Sequence, residues 1–331
     1  MKSVVKFFAL FFLITSIFGC ATTVGVNVER PAELNLNGAA SISIIPFSYK
    51  KNFHSFFWNN ETEKLARYTN EELEKKIVSS EYLTLVDSKE TFHALKHNLE
   101  LPCDVYIQGQ IEDYHERIIE NDHKVKTKDS DGNEITKIEK EFQLKVRFSI
   151  FYEIIDGKTK ETIYSTTEHY EKTSSDYSSP RDLPYASTLA KNSINSYSTK
   201  LIKKIAPYTV HRNISMMKDK SKNPNMKYAN ELVKNGQINL AKEEYLKIYN
   251  QTGQIEAGYN AARLMEAQGN YEEAEALMSE IFYISNNKKA SRALNDIRYE
   301  IRAARKLENQ IKAQEERKNQ ETEEDSTLKE K

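Results

Sequence analysis

The sequence predicts two kinds of architecture in one chain. The first is an α/β or α+β domain with helices packed on a mixed sheet, and the second an all-α segment of helical hairpins. Three observations carry this reading. Strand-like and helix-like apolar runs follow one another as β-α-β-α-β-β-β-α across residues 41–207. Residues 142–154 alternate apolar and polar with a period of two. Residues 229–249 recur 33 positions later.

The chain opens with Lys2 and Lys6 and no acid, then the apolar run "FFALFFLITSIF", then Gly19-Cys20. A charged start and an apolar run of this length form a secretory signal; a membrane span needs about 20 residues. An uncleaved anchor helix is the alternative. Removal of residues 1–19 leaves 46 basic against 49 acidic residues. That balance argues against a nucleic-acid partner, which calls for a basic stripe. Ile17-Phe18-Gly19-Cys20 resembles the bacterial lipobox, with an aliphatic residue at −3, a small one at −1 and the Cys. The resemblance implies thioether lipidation of Cys20, cleavage before it, and acylation of the new amine. Each buried methylene contributes about 0.8 kcal/mol, so two or three acyl chains hold a protein at a membrane. Ala21-Thr22-Thr23 lacks the Asp at +2 that retains lipoproteins at the inner membrane, which points to the outer membrane, facing the periplasm. Lipidation would leave Cys103, the other of the two cysteines, unpaired; "ELPCDVYI" places it beside a strand as a buried residue.

Residues 21–40 read as a tether. "SISIIPF" (41–47) is a short strand. In 60–80, Leu65, Tyr68, Leu73 and Ile77 fall at helical spacing, with Asn60 or Thr62 as cap. "YLTLVD" (82–87) is a strand, 88–97 a helix capped by Ser88, and "DVYIQGQIEDY" (104–114) a third strand. Residues 115–140 are polar, with a hairpin turn at Asp131-Gly132. In 142–154, Phe142, Leu144, Val146, Phe148, Ile150, Tyr152 and Ile154 share one face. That alternation also suits a transmembrane β-strand, but the charges on both faces of 115–140 favour a long strand under a helix layer. A second turn at Asp156-Gly157 leads to a strand ending near 170. Residues 185–207 form an amphipathic helix stopped by Pro207.

After a polar linker, Ala229, Leu232, Gly236, Ala241, Tyr245, Ile248 and Tyr249 recur as Ala262, Met265, Gly269, Ala274, Met278, Ile281 and Phe282. Small residues let two helices approach, glycine makes the turn, and large residues fill the joint. This pattern resembles the tetratricopeptide repeat, with a period one residue short. A further helix, about 288–311, caps the stack. From Arg302 onward more than half the residues are charged, which predicts a helix fraying into a solvated tail.

The boundaries are then a signal peptide (1–19), a lipidated tether (20–40), an α/β domain (41–210), a linker (211–225), tetratricopeptide-like repeats (226–311) and a charged disordered tail (312–331). Because tetratricopeptide grooves hold other chains, Tyr228, Leu232, Tyr245, Tyr259, Asn260, Arg263 and Met265 are the candidate partner contacts. Chemistry is sparse. His93 and His97 are four apart on a helix with Cys103 nearby, too few ligands for a metal site without a fourth. "DSDGNE" lacks calcium-loop spacing. There is no nucleophile elbow and no phosphate-binding glycine loop. No cofactor and no catalytic residue is expected.

The first domain resembles the curli-secretion (CsgG/LpoB-like) superfamily over about residues 40–207. The matching features are "ISIIPF", the helix leading to "YLTLVD", "DVYIQGQIEDY", and "VRFSIFYEIIDGKTKETIYS". The resemblance implies a noncatalytic envelope protein: a lipid-anchored scaffold or assembly factor, with an oligomeric export channel and a metal-binding enzyme as alternatives. The paired membrane-inserting hairpins of the channel branch are missing from the sequence. A homo-oligomer remains open, and the expected partners are the membrane and other envelope proteins.

Overall fold

The structure, a computed structural model, describes residues 22–49 and 61–329. The signal sequence and Cys20 lie outside them. The strands are β1 (Thr23–Arg30), β2 (Ser41–Ile44), β3 (Ser48–Tyr49), β4 (Thr84–Val86), β5 (Val105–Lys128), β6 (Glu134–Asp156), β7 (Thr162–Thr173) and β8 (Tyr208–Ser215). The helices are α1 (Glu61–Val78), α2 (Ser88–His97), α3 (Ala186–Ile205), α4 (Pro224–Lys234), α5 (Ile238–Thr252), α6 (Ile255–Ala267), α7 (Tyr271–Ser285) and α8 (Lys288–Lys329). No described helix is long and apolar enough to cross a membrane. The class is mixed α/β followed by a helical segment, as the sequence predicts. The chain divides into two compact units, one of residues up to Pro31 with Tyr208–Glu308, the other of Ala32–Pro207 with Asn309–Lys331.

The second of these units is the α/β one. Its sheet has the order β4-β2-β5-β6-β7, with β3 also on β5. β2 is parallel to β4 and β5, while β5–β6 and β6–β7 are antiparallel. The alternation read in 142–154 places Leu144, Val146, Phe148, Ile150, Tyr152 and Ile154 in the core. Against them pack Leu65, Leu73 and Ile77 of α1 and Ala190, Ile194, Tyr197 and Leu201 of α3, each set at helical spacing. On the order of 1.5–3 kcal/mol accompanies burial of each large apolar side chain, so this face dominates the unit's stability. A smaller cluster of Ile45, Cys103, Tyr106 and Ile155 buries the Cys103 thiol. The cap of α2 is Asp87, whose carboxylate accepts from the Lys89 N–H at 2.9 Å; Ser88 is the first helical residue instead.

Two expectations change here. Residues 115–140 are strand on both sides of the Asp131-Gly132 turn, with Gly132 at φ 85°. Cross-strand pairing, absent from a single-strand reading, extends the ladder to Lys128↔Glu134. A bulge between Glu112 and His115, with Asp113 at φ 50°, re-aims β5 at the start of this extension. Finally, the tail predicted to be disordered continues α8 to Lys329. Gln310 donates to the Ala32 and Leu34 carbonyls and Gln314 to that of Ala39, so the chain's own backbone holds a segment that composition alone reads as solvated.

In the other unit, α4–α5 and α6–α7 are successive helical hairpins, and Gly236 and Gly269 occupy left-handed turn positions at φ 74° and 80°. Gly258 sits at a close approach, where a Cβ would lie 2.4 Å from Ile281 Cδ1 and 2.8 Å from the Tyr249 ring. Ala290, Ala293, Leu294, Ile297 and Ile301 of α8 complete this core. The unit also contains β1 and β8, paired antiparallel from Thr23↔Ser215 to Arg30↔Tyr208. The predicted tether is therefore a strand over Thr23–Arg30. Its partner lies far along the chain and gives no local signal, although Val24, Val26 and Val28 do alternate.

Candidate functional site

Three places concentrate polar chemistry, and the first is inside the helical unit. Arg30 of β1 grips Glu300 of α8 with both guanidinium nitrogens, at 2.5 and 2.8 Å. Arg212 of β8 reaches the same carboxylate at 2.6 Å and Glu266 of α6 at 3.2 Å. Arg263 closes on Glu266 at 2.6 Å. Arg30, Arg263, Glu266 and Glu300 are all buried. The Glu300 hydrogen bond and charge, working against burial, hold the Arg30 guanidinium above its ordinary value. Burial pushes the Glu266 carboxyl up against the pull of Arg263 and Arg212. Alternating buried charges make a clamp between the β1–β8 ribbon and the helices.

This arrangement settles where the candidate partner contacts sit. Leu232, Tyr245, Tyr259, Asn260, Arg263 and Met265 are buried. Tyr228 alone of the seven is exposed, at 58%. Asn260 exchanges two hydrogen bonds with the Met217 backbone, accepting at 2.6 Å and donating at 3.0 Å. Tyr245 donates to Asn230 at 2.7 Å. The helix face that would line a repeat's groove, Ala257 through Glu266, is covered by the chain's own residues, among them Ile214, Met216 and Met217. Partner contact through these six side chains is corrected to internal packing. The 33-residue spacing is equally that of joint-filling residues, and sequence cannot separate an occupied groove from an empty one.

The second place is a cleft of about 1050 Å³ in the α/β unit, bordered by Asn35, Asn98, Asp104, Lys158, Lys160 and Arg317. Asp104 is its best-built group. Its carboxylate accepts from the Ala40 and Ser41 N–H groups, both at 2.8 Å, and pairs with Arg317 of α8 at 2.6 Å. Burial opposes ionisation here, but the Ser41 and Ala40 donors and the Arg317 charge outweigh it and hold the carboxyl below the usual range. Gly157 is fixed beside it by close approach, since a Cβ there would lie 2.1 Å from the Cys103 carbonyl. Lys160 is engaged by Asn98 at 2.9 Å. The cleft opens at Ser41 and Asp104, beside the N-terminal ends of parallel strands β2 and β5, whereas α/β ligand crevices form at C-terminal ends. Asp104 and Arg317 serve each other there.

The third is a cross-strand pair that sequence reading missed, because register alone creates it. Ser149 Oγ and His169 Nδ1 lie 2.8 Å apart on adjacent strands, with Glu112 opposite Ser149 on β5. A hydroxyl on an imidazole can begin a nucleophilic site. Here it sits mid-sheet, with β6 paired on both of its edges. His93 and His97 lie with ring centroids 4.5 Å apart and tilted by 42° on an exposed helix face, while Cys103 is buried among apolar residues. Among the described residues no three His, Cys, Asp or Glu side chains form a metal-sized group.

No family model and no curated protein matches the chain. Among solved structures it is similar to the PelC dodecamer of Paraburkholderia phytofirmans at 12% identity, covering 54% of this chain and 97% of that one, TM-score 0.26. It is similar to the lipoprotein GNA1162 of Neisseria meningitidis at 11% identity, covering 48% and 99%, TM-score 0.21. A third likeness is to CT253 of Chlamydia trachomatis at 14% identity, covering 40% and 73%, TM-score 0.22. At these TM-scores the likenesses carry no argument; the fold class rests on strand order and packing.

Proposed function

We infer that the chain is a lipid-anchored scaffold or assembly factor of the bacterial cell envelope. It is held through Cys20 at the outer membrane, faces the periplasm, and acts by binding envelope proteins rather than by catalysis. The observation that carries this reading is the order of Lys2, Lys6, a short apolar run and Ile17-Phe18-Gly19-Cys20. The fold adds a leash length. β1 begins three residues past Cys20, at Thr23, and three residues span at most about 10 Å. The helical unit would then sit against the headgroups rather than on a flexible stalk. The export-channel alternative needs a continuous outward apolar band. The extended hairpin carries Glu120, Asp122 and Lys124 on one face and His123, Lys137 and Glu139 on the other, which favours the scaffold.

Lipid labelling and membrane fractionation of the full chain test the anchor. Cys20→Ala should lose the label and leave an uncleaved or soluble form; unchanged labelling and retention would refute it. Crosslinking in cells before membrane extraction tests the scaffold, and recovery of the full chain alone and monomeric at native levels counts against it. The whole chain is the right bait, because a fragment starting at 208 lacks the strand that completes the helical unit.

A further inference from the structure

β7 reaches only as far along β6 as Lys145↔Thr173. Tyr177 still bridges Phe142 further along; beyond that bridge, β5 and β6 run on as a two-stranded ribbon from Asn121↔Glu141 to Lys128↔Glu134. Such a ribbon is marginally stable in water without a third strand. This one also leaves Ile135 and Ile138 exposed. Among the described residues, no strand pairs with the outer edge of β5 past Ile111. That edge offers a row of backbone N–H and C=O groups to an incoming strand.

On one face of the edge the charges are sorted along its length. Glu116, Glu120 and Asp122 come first, then Lys124, Lys126 and Lys128. All have even numbers, so all project from one face. We propose that this edge pairs with the same edge of a second copy of the chain, antiparallel about a dyad at His123. In that register Glu120 lies opposite the partner's Lys126, and Asp122 opposite the partner's Lys124. On the other face Ile119 meets the partner's Thr127 and Asn121 the partner's Val125. The two ribbons become one antiparallel sheet of four strands, which supplies the third strand each lacks.

Lysines on an edge ordinarily discourage pairing; here their order selects one register. Moving the dyad to Asp122 sets two carboxylates against each other, and moving it to Lys124 sets two ammonium groups together. In-register parallel pairing repeats every like charge along the edge. Opposite-charge pairs stabilise a sheet and like charges directly opposite destabilise it. The surface is independent of the lipid anchor, so failure of either proposal leaves the other standing.

Sedimentation velocity on the detergent-solubilised full chain tests the pairing. The wild type should dimerise, and Glu120→Lys with Asp122→Lys, or Lys124→Glu with Lys126→Glu, should each weaken dimerisation at least about tenfold. An equimolar mixture of the two variants should regain wild-type affinity or better, because every facing pair is then opposite in sign. Unchanged circular dichroism verifies the variants' fold. A wild type still monomeric at about 100 μM, or variants that dimerise like the wild type, overturns the proposal, as does a mixture no tighter than its components. His123→Cys, which places one thiol on each side of the dyad, should give a disulfide dimer absent from the parent chain and from Thr127→Cys. No such band would likewise overturn it.

Discussion

Residues of unlike sequence position meet in the Arg30–Glu300–Arg212–Glu266–Arg263 cluster, and its energetics are those of buried ion pairs. Removing one partner leaves charge without compensation, which costs about 3–5 kcal/mol. Glu300→Ala strands Arg30 and leaves Arg212 with Glu266 alone. It should lower the helical unit's stability by that amount, read from the urea midpoint. A loss under about 1 kcal/mol, typical of exposed pairs, would show that the cluster is solvated. None of this was legible beforehand. The five residues come from two strands and two helices, and each alone reads as a surface charge. The period-33 residues were legible, because burial imposes a pattern, but the pattern does not say what covers them. Asn260 illustrates the gap: its side chain acts as backbone for Met217, a role no local motif announces.

Elements with strong internal periodicity were read well, namely α1, α3, the alternating part of β6 and the helices of both hairpins. Elements whose existence depends on a remote partner were not. β1 needs β8, and the distal ribbon needs its own other strand to offset its polar composition. The final part of α8 needs the carbonyls of Ala32, Leu34 and Ala39 and the carboxylate of Asp104. Its attachment should respond to acid. Folding lowers the Asp104 pKa, so the folded form binds fewer protons than the unfolded one. The stabilisation is complete above the ordinary carboxylate value of about 4 and is lost as pH falls through the lower folded value. Amide exchange over Asn309–Gln320 should accelerate between about pH 4 and pH 2 beyond its intrinsic pH dependence. Asp104→Asn should abolish that response while costing about 1.5–3 kcal/mol at neutral pH. An unaltered acid response in the variant would assign it to other groups.

On the scale of the whole molecule, the chain visits each unit twice. It supplies β1 to the helical unit, builds the α/β unit, returns with β8 and the helices, and ends in the α/β unit. A chain beginning at Pro31 lacks β1 and Arg30. Its helical unit should melt earlier, and the thermal transition of the α/β unit should stay in place; a common shift of both would mean the units unfold as one. The same connectivity sets a clock. Arg30 pairs with Tyr208, and at roughly 5–20 residues per second the ribosome takes roughly ten to forty seconds to make the intervening stretch. Throughout that delay the strand "TVGVNVER" has been made and its mate has not. A nascent or translocating chain thus carries a sticky valine edge for most of its synthesis, and the demand for a holdase falls on its first thirty residues rather than its last.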